Sequence, residues 1–280
     1  MIDSNYKVTY IEKENVPYLQ FPVFRELPIV HGFSTKLGGV SQGDCATMNL
    51  SFTRGDKVED VMENHRRFAK AVGYDTEELV LTDQVHSTHI LRVGKEDTGE
   101  VFAEQRAIKE IDGLVTNEPG VVLMTFFADC VPLMFYDPVK HAIGNAHSGW
   151  RGTVNRMGEK MVQRMQAEFG SRPEDILAVV GPSICQKCYE VSEDVVQEFN
   201  QAFDKKHWEH LYYKKPNDHY QLNLWKANEI ILQEAGVKNE NIQVCGVCTN
   251  ENHDVLFSHR YTGGKRGNLA AVIGLKEKER

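Results

Sequence analysis

Apolar residues fall into short unbroken runs through the middle of the chain and recur at helical intervals elsewhere. Residues 121–127 form an apolar run of strand length that ends at Asp129-Cys130, followed by Pro132. A second run, 133–136, stops at the turn pair Asp137-Pro138, and a third, 142–146, delivers His147. The pattern predicts two adjacent strands, one starting near a cysteine and the other ending at a histidine, so that both side chains face one pocket. Further strands are predicted over 7–12, 29–34, 79–82, 90–93, 176–180, 242–248 and 269–275. A helix is predicted over 59–72, where Val61, Phe68 and Val72 share a stripe and Gly73 supplies the stop. A second spans 154–169: Val154, Met157, Met161, Met165 and Phe169 keep helical spacing as a core stripe, and Thr153 is placed to cap it. Helices over 193–203 and 224–235 follow, the latter closed by Gly236. Residues 94–111 are polar and irregular and read as a loop. Strands alternating with helices, some strands joined by tight turns, predict an α/β fold with a mixed parallel and antiparallel sheet flanked by helices. No repeat or linker interrupts the chain, so one domain over residues 1–280 is expected.

Composition narrows the partners. A net charge of −8 disfavours nucleic acid, although a local basic patch still suits a phosphate. No run reaches membrane-spanning length, and the first residues lack the basic and apolar regions of a signal peptide. A cytoplasmic protein is expected, in which six cysteines are thiols or ligands rather than a disulfide framework.

Cys130 and His147 together point to one of two chemistries: a thiolate–imidazole hydrolase, or a Zn²⁺ or copper site. His86, in a polar loop after a short strand, is the third candidate ligand, and a His/Cys/His set with an open fourth position suits catalytic zinc. The three lie 44 and 17 residues apart, so only the fold can unite them. His89 and His141 read as solvated. Two CxxC pairs, Cys185/Cys188 and Cys245/Cys248, are separated by 56 residues. CxxC…CxxC is a structural zinc signal, but the gap is far longer than in a zinc ribbon, and within a strand Cys245 and Cys248 would face opposite ways, so these four read as buried or reducible thiols ahead of a structural zinc site. Arg151-Gly152-Thr153, just ahead of a helix, reads as a phosphate seat, with Arg54, Arg66, Arg260 and Lys265 as further basic candidates. The loop 262–267 is not a P-loop, because its spacing is wrong.

The motifs His31-Gly-Phe-Ser-Thr, Gln84-Val-His86, Asp112-Gly-Leu-Val-Thr, Ala128-Asp-Cys-Val-Pro-Leu, Ala146-His-Ser-Gly-Trp-Arg-Gly, Gly181-Pro-Ser-Ile, Cys188-Tyr-Glu-Val and Phe257-Ser-His-Arg stand in one order along the chain. In this the chain resembles the bacterial YlmD/YfiH-type laccase-domain proteins, related to human FAMIN. The resemblance implies an α/β fold akin to the toxin cysteine–histidine deamidases. It also implies a zinc site made of His86, Cys130 and His147. The activity it implies is purine nucleoside phosphorylase, with adenosine deaminase and methylthioadenosine phosphorylase activity, on purine nucleosides and phosphate. On that reading Asp129 is an acid, a base or a positioning group, and Arg151, Arg54 and Arg66 are candidate phosphate contacts. The family usually has Gly where Ser87 stands and Ala where Ser148 stands. Copper-dependent phenol oxidation and a metal-free Cys130–His147 hydrolase acting on peptidoglycan precursors are the alternatives, and a monomer or a homodimer fits equally.

Overall fold

The computed structural model describes residues 6–99 and 108–276. Strands β1 (Thr9–Lys13), β2 (Val16–Gln20) and β3 (Ile29–Ser34) come first, then helix α1 (Val58–Val72). Strands β4 (Leu79–Asp83), β5 (Ile90–Arg92), β6 (Ile108–Lys109) and β7 (Gly113–Thr116) follow. The three apolar runs are β8 (Val122–Phe127), β9 (Val131–Asp137) and β10 (Ala142–Ser148). Next come α2 (Trp150–Val154), α3 (Met157–Phe169), β11 (Leu177–Val180), β12 (Glu190–Val191), α4 (Glu193–Ala202) and α5 (Trp208–Leu211). The remainder is β13 (Tyr212–Lys214), β14 (Tyr220–Leu222), α6 (Leu224–Glu234), β15 (Ile242–Val244), α7 (His259–Thr262) and β16 (Leu269–Leu275).

The strands divide between two large sheets rather than one. One has the order β1-β2-β3-β16-β8-β4-β6, the other β15-β11-β9-β10-β7-β5, and β12-β14-β13 form a small third. Pairing is mixed as expected: β4 runs parallel to β8, whereas β16 is antiparallel to both β3 and β8. The large sheets pack face to face. Leu123, Phe127, Leu269, Ala271 and Ile273 of the first meet Leu114, Met134, Tyr136, Ile143 and Val179 of the second. On the outer face of the first sheet, Val122, Met124, Ala270 and Val272 pack against Phe68, Ala71 and Val72 of α1. On the outer face of the second, Leu133 and Phe135 pack against α3 and α6. Successive residues of β8, β9 and β16 therefore enter different cores, which is why these strands are apolar throughout rather than alternating. One polar residue crosses the interface between the sheets: buried Asn145 of β10 donates to the carbonyls of Leu123 (3.0 Å) and Ala271 (2.9 Å) and accepts from Thr125 Oγ1 (2.9 Å).

Several expectations change in detail. The helix expected over 154–169 is two helices, broken where Arg156 takes a left-handed conformation (φ 59°) and pairs with Glu159 and Glu234. Its methionine stripe is buried as expected. Thr153 lies inside α2 instead of capping, its hydroxyl donating back to the Gly149 carbonyl at 3.0 Å. The strand expected over 242–248 ends at Val244, because Gly246 turns the chain at φ 76°. Of the loop expected over 94–111, residues 95–97 form a 3₁₀ turn and β6 pairs with β4, while 100–107 lie outside the described residues. His141 is buried rather than solvated, held by the Tyr136 hydroxyl (3.2 Å) and the Lys276 carbonyl (3.0 Å). Among the described residues no helix is long and apolar enough to cross a membrane.

Candidate metal centre

The chain crosses from one sheet to the other between β8 and β9, and Cys130 sits in that crossing. Asp129 before it adopts φ 85°, a left-handed conformation that is costly for a residue with a Cβ. Its carboxylate offsets this cost: Oδ1 accepts from Thr249 Oγ1 and Oδ2 from the Arg260 N–H, both at 2.6 Å. With both oxygens engaged, Asp129 holds the turn that presents Cys130. His147 lies near the end of β10, opposite Pro132 in the β9–β10 register, so the two strand ends set thiol and imidazole side by side. His86 comes from the loop after β4 in the other sheet, also left-handed at φ 61°. The ligand atoms of His86, Cys130 and His147 lie within 4.8 Å of one another, with His86 Nε2 4.0 Å from Cys130 Sγ. The triad expected from scattered sequence positions is thus brought together at the seam between the sheets.

Asp112, to which sequence reasoning assigned no role, organises this seam. It is fully buried ahead of β7. Its Oδ1 accepts from His147 Nδ1 at 2.9 Å and from the His86 backbone N–H at 3.1 Å. Its Oδ2 accepts from the N–H groups of Val85 and Ser87 and from the Ser87 hydroxyl, at 3.1, 2.9 and 2.9 Å. A second clamp fixes the same loop: the Gln84 amide makes two bonds to the backbone of Phe126, at 2.9 and 2.7 Å. Burial raises the Asp112 pKa, but the bond and charge of His147 and the bonds from Ser87 outweigh it, so the carboxyl is held below its usual range. Burial likewise raises the Cys130 thiol and lowers His147. The attraction between the two outweighs both effects, with bonds from His86 to the thiol and from Asp112 to the imidazole, so thiolate and imidazolium are favoured.

These residues fit a metal ion. With Nδ1 donating to a carboxylate, His147 would offer Nε2 to an ion that displaces the second proton of the imidazolium, the arrangement that orients imidazole ligands in metal sites. A Cβ built at Gly149 would stand 3.1 Å from Cys130 Sγ and 3.2 Å from His86 Cδ2, so the glycine leaves the ligand set the room it needs.

The triad forms one wall of a cavity of about 370 Å³, also lined by Phe52, Arg54, Gln84, Phe126 and Arg266. Of the expected phosphate contacts, only Arg54 reaches it. Arg66 lies on α1 at a separate cavity and pairs with Glu63 at 3.5 Å. Arg151 is exposed, stacks on Trp150 at 4.3 Å in the first turn of α2, and does not line this cavity. Lys265 does not line the cavity either, and Arg260 covers the Tyr189 ring at 5.2 Å. Arg266, outside the expected set, is the second basic wall. Its head reaches the Gly267 carbonyl and His259, and Arg54 donates to the Gly264 and Arg266 carbonyls at 3.2 and 3.4 Å. Among the described residues neither arginine pairs with a carboxylate. Burial, and after it the charge of Arg54, lowers Arg266 to about 10, which marks an enclosed positive field. The basic loop 262–267 was its only visible signal.

A family model described as multi-copper polyphenol oxidoreductase laccase matches residues 30–276. The chain belongs to that family. This laccase-family chain is 39% identical over 253 residues to the purine nucleoside phosphorylase YlmD of Bacillus subtilis, covering 89% of each. It is 38% identical over 264 residues to a purine nucleoside phosphorylase of Deinococcus radiodurans, covering 94% of this chain and 95% of that one. The crystal structure of YlmD from Geobacillus stearothermophilus superposes with a TM-score of 0.89 at 35% identity, covering 96% of this laccase-family chain and 99% of YlmD.

Proposed function

We propose that this chain is a zinc-dependent purine nucleoside phosphorylase, splitting inosine, adenosine or guanosine with phosphate into free base and ribose 1-phosphate. On this reading it also deaminates adenosine and phosphorolyses methylthioadenosine. One observation carries the proposal: a single cavity joins the His86–Cys130–His147 set to two arginines that pair with no carboxylate among the described residues. About 370 Å³ falls within the range that encloses a small ligand. The relatives named above, phosphorylases by name, support the same reading. Six free thiols suit a cytoplasmic location.

His86, Cys130 and His147 would hold the zinc ion, which supplies a Lewis acid that polarises a substrate oxygen or water. The chain's own groups do the rest. Asp112 keeps the proton on His147 Nδ1, so Nε2 stays available to the ion. Arg54 and Arg266 bind phosphate and neutralise its charge as it approaches C1′ of the ribose. Phe52 and Phe126 give the base an apolar wall and exclude water.

The test is phosphate-dependent turnover of inosine and adenosine, followed by chromatography, on metal-assayed protein. Free base and ribose 1-phosphate are expected from the wild type and none from a folded Cys130→Ala variant. Turnover by that variant, or its absence from the zinc-loaded wild type, overturns the assignment.

A metal-free hydrolase is the second reading, because a lowered Cys130 thiol beside His147 is also what a thiol nucleophile needs. It requires activity that survives chelation and is lost on thiol alkylation. Copper-dependent phenol oxidation, the reading closest to the family description, requires oxygen uptake by the copper-loaded protein.

A further inference from the structure

Of the two CxxC pairs, Cys185/Cys188 stays together, whereas Cys245 and Cys248 part. Because β15 ends at Val244 and Gly246 turns the chain, Cys248 leaves the strand direction and runs beside Ser183, with which it forms a parallel bridge. Ser183 N–H donates to the Val247 carbonyl (3.1 Å) and Thr249 N–H to the Ser183 carbonyl (3.2 Å). This register sets Cys248 against Cys185, and the 3₁₀ turn Gln186–Cys188 brings Cys188 round to join them. The three sulfurs lie within 4.8 Å of one another, all as free thiols, and Cys185 and Cys248 are buried. Cys245, the fourth cysteine of the two pairs, stays in the core between the sheets.

We propose that Cys185, Cys188 and Cys248 form a second metal site, separate from the His86–Cys130–His147 set, that binds Zn²⁺ through three thiolates. Three soft sulfur donors select zinc over hard cations. A Cys-x-x-Cys turn is the spacing by which structural zinc sites supply two of their ligands, and Cys248 adds a third. The backbone is already arranged for a negatively charged sulfur: Cys248 Sγ faces the N–H groups of Cys185 (3.3 Å) and Glu251 (3.5 Å). The fourth position is left to water, because the Glu251 carboxylate is turned to Lys187, 3.3 Å away. Binding converts three thiols to thiolates and releases their protons to solvent, so affinity falls as pH falls.

The site would brace the first one without touching it. Ile184 N–H donates to the Asp129 carbonyl at 3.0 Å, and Thr249 Oγ1 holds the Asp129 carboxylate. Each lies next to a cysteine of the trio, so an ion joining these loops tightens the turn that presents Cys130.

The experiment reads metal, not turnover, so its outcome is independent of the nucleoside assignment. A full-length, reduced Cys130→Ala chain, with the first site disabled, is loaded with zinc and passed over a weak chelator. We expect it to keep about one zinc equivalent, held by the three thiolates. Cobalt substitution should give sulfur-to-metal charge-transfer bands. Adding Cys188→Ser should abolish both. Because Cys188 is half-buried, this substitution spares the core; zinc protection of Cys188 from alkylation in the Cys130→Ala chain gives a second readout that needs no further mutation. Failure to retain zinc, cobalt spectra without thiolate bands, or alkylation unaffected by zinc overturns the proposal. So does a Cys185–Cys248 disulfide in protein purified without reductant, which would make the trio a redox pair with a spare thiol.

Discussion

The Asp112 carboxylate stands 2.9 Å from His147 Nδ1, and the same two oxygens collect three consecutive backbone N–H groups from the loop that carries His86. One buried carboxylate therefore sets both imidazoles. Asp112→Asn keeps the volume but removes charge and part of the acceptor capacity. Zinc affinity should fall about 10- to 100-fold, as loss of a ligand's hydrogen-bond partner does elsewhere. Competition against a metallochromic indicator measures it. Unchanged affinity would mean that the ligands position themselves.

The basic walls separate two predictions. Arg266→Ala should raise the phosphate KM about tenfold or more, the effect of losing a charge-assisted contact worth about 1.4 kcal/mol. Arg266→Lys, which keeps the charge but not the fork, should fall between. Arg151→Ala should leave phosphate KM within about twofold, because its head lies on Trp150 outside the cavity. A reversed ranking of the two arginines would relocate the phosphate seat.

His31 is buried with its Nε2 accepting the Phe21 N–H at 3.1 Å, and burial lowers its pKa to about 4. The folded state binds its proton less readily than the unfolded state, whose histidine titrates near 6.5. Stability is therefore fully present above pH ~6.5 and lost as pH falls toward 4, by roughly 3 kcal/mol for this group. His65, also lowered to about 4 by burial, acts in the same window. Urea midpoints at pH 7 and 4.5 should differ more for wild type than for His31→Gln. Equal pH dependence would show that His31 does not govern it.

Asn145 offers a test of the sheet interface. Asn145→Ala removes the donors to the Leu123 and Ala271 carbonyls and the acceptor for Thr125, and should cost about 2–4 kcal/mol through unsatisfied buried groups and a cavity. Thermal denaturation checks this, with a melting temperature shift below a degree as the contrary outcome.

The residues themselves disclosed the strand ends at Cys130 and His147, since turn chemistry and apolar runs are local signals. They disclosed the buried face of α3 for the same reason. Asp112 and Arg266 stayed hidden because their roles depend on which loops meet at the seam, and that depends on long-range strand order. An apolar run such as 121–127 shows that a strand is covered, but not whether a helix or another sheet covers it. Cys248 was misread as a strand residue because a single glycine, Gly246, overrides the β-pattern before it.

The placement of β16 carries a consequence for synthesis on the ribosome. The strand lies in the middle of its sheet, between β3 and β8, yet it is the last strand described. Every metal-ligand candidate of the first site is translated by residue 147, but β3 and β8 have no partner between them until residues 269–275 emerge. Arg266 emerges with them. Domains whose early segments wait for a late one expose apolar strand edges in the interval. A chain stalled before Arg266 would hold the histidines and the thiol while lacking the basic wall of the cavity. Emergence of β16 thus joins the two halves of its sheet and, with Arg266 just ahead of it, closes the candidate site.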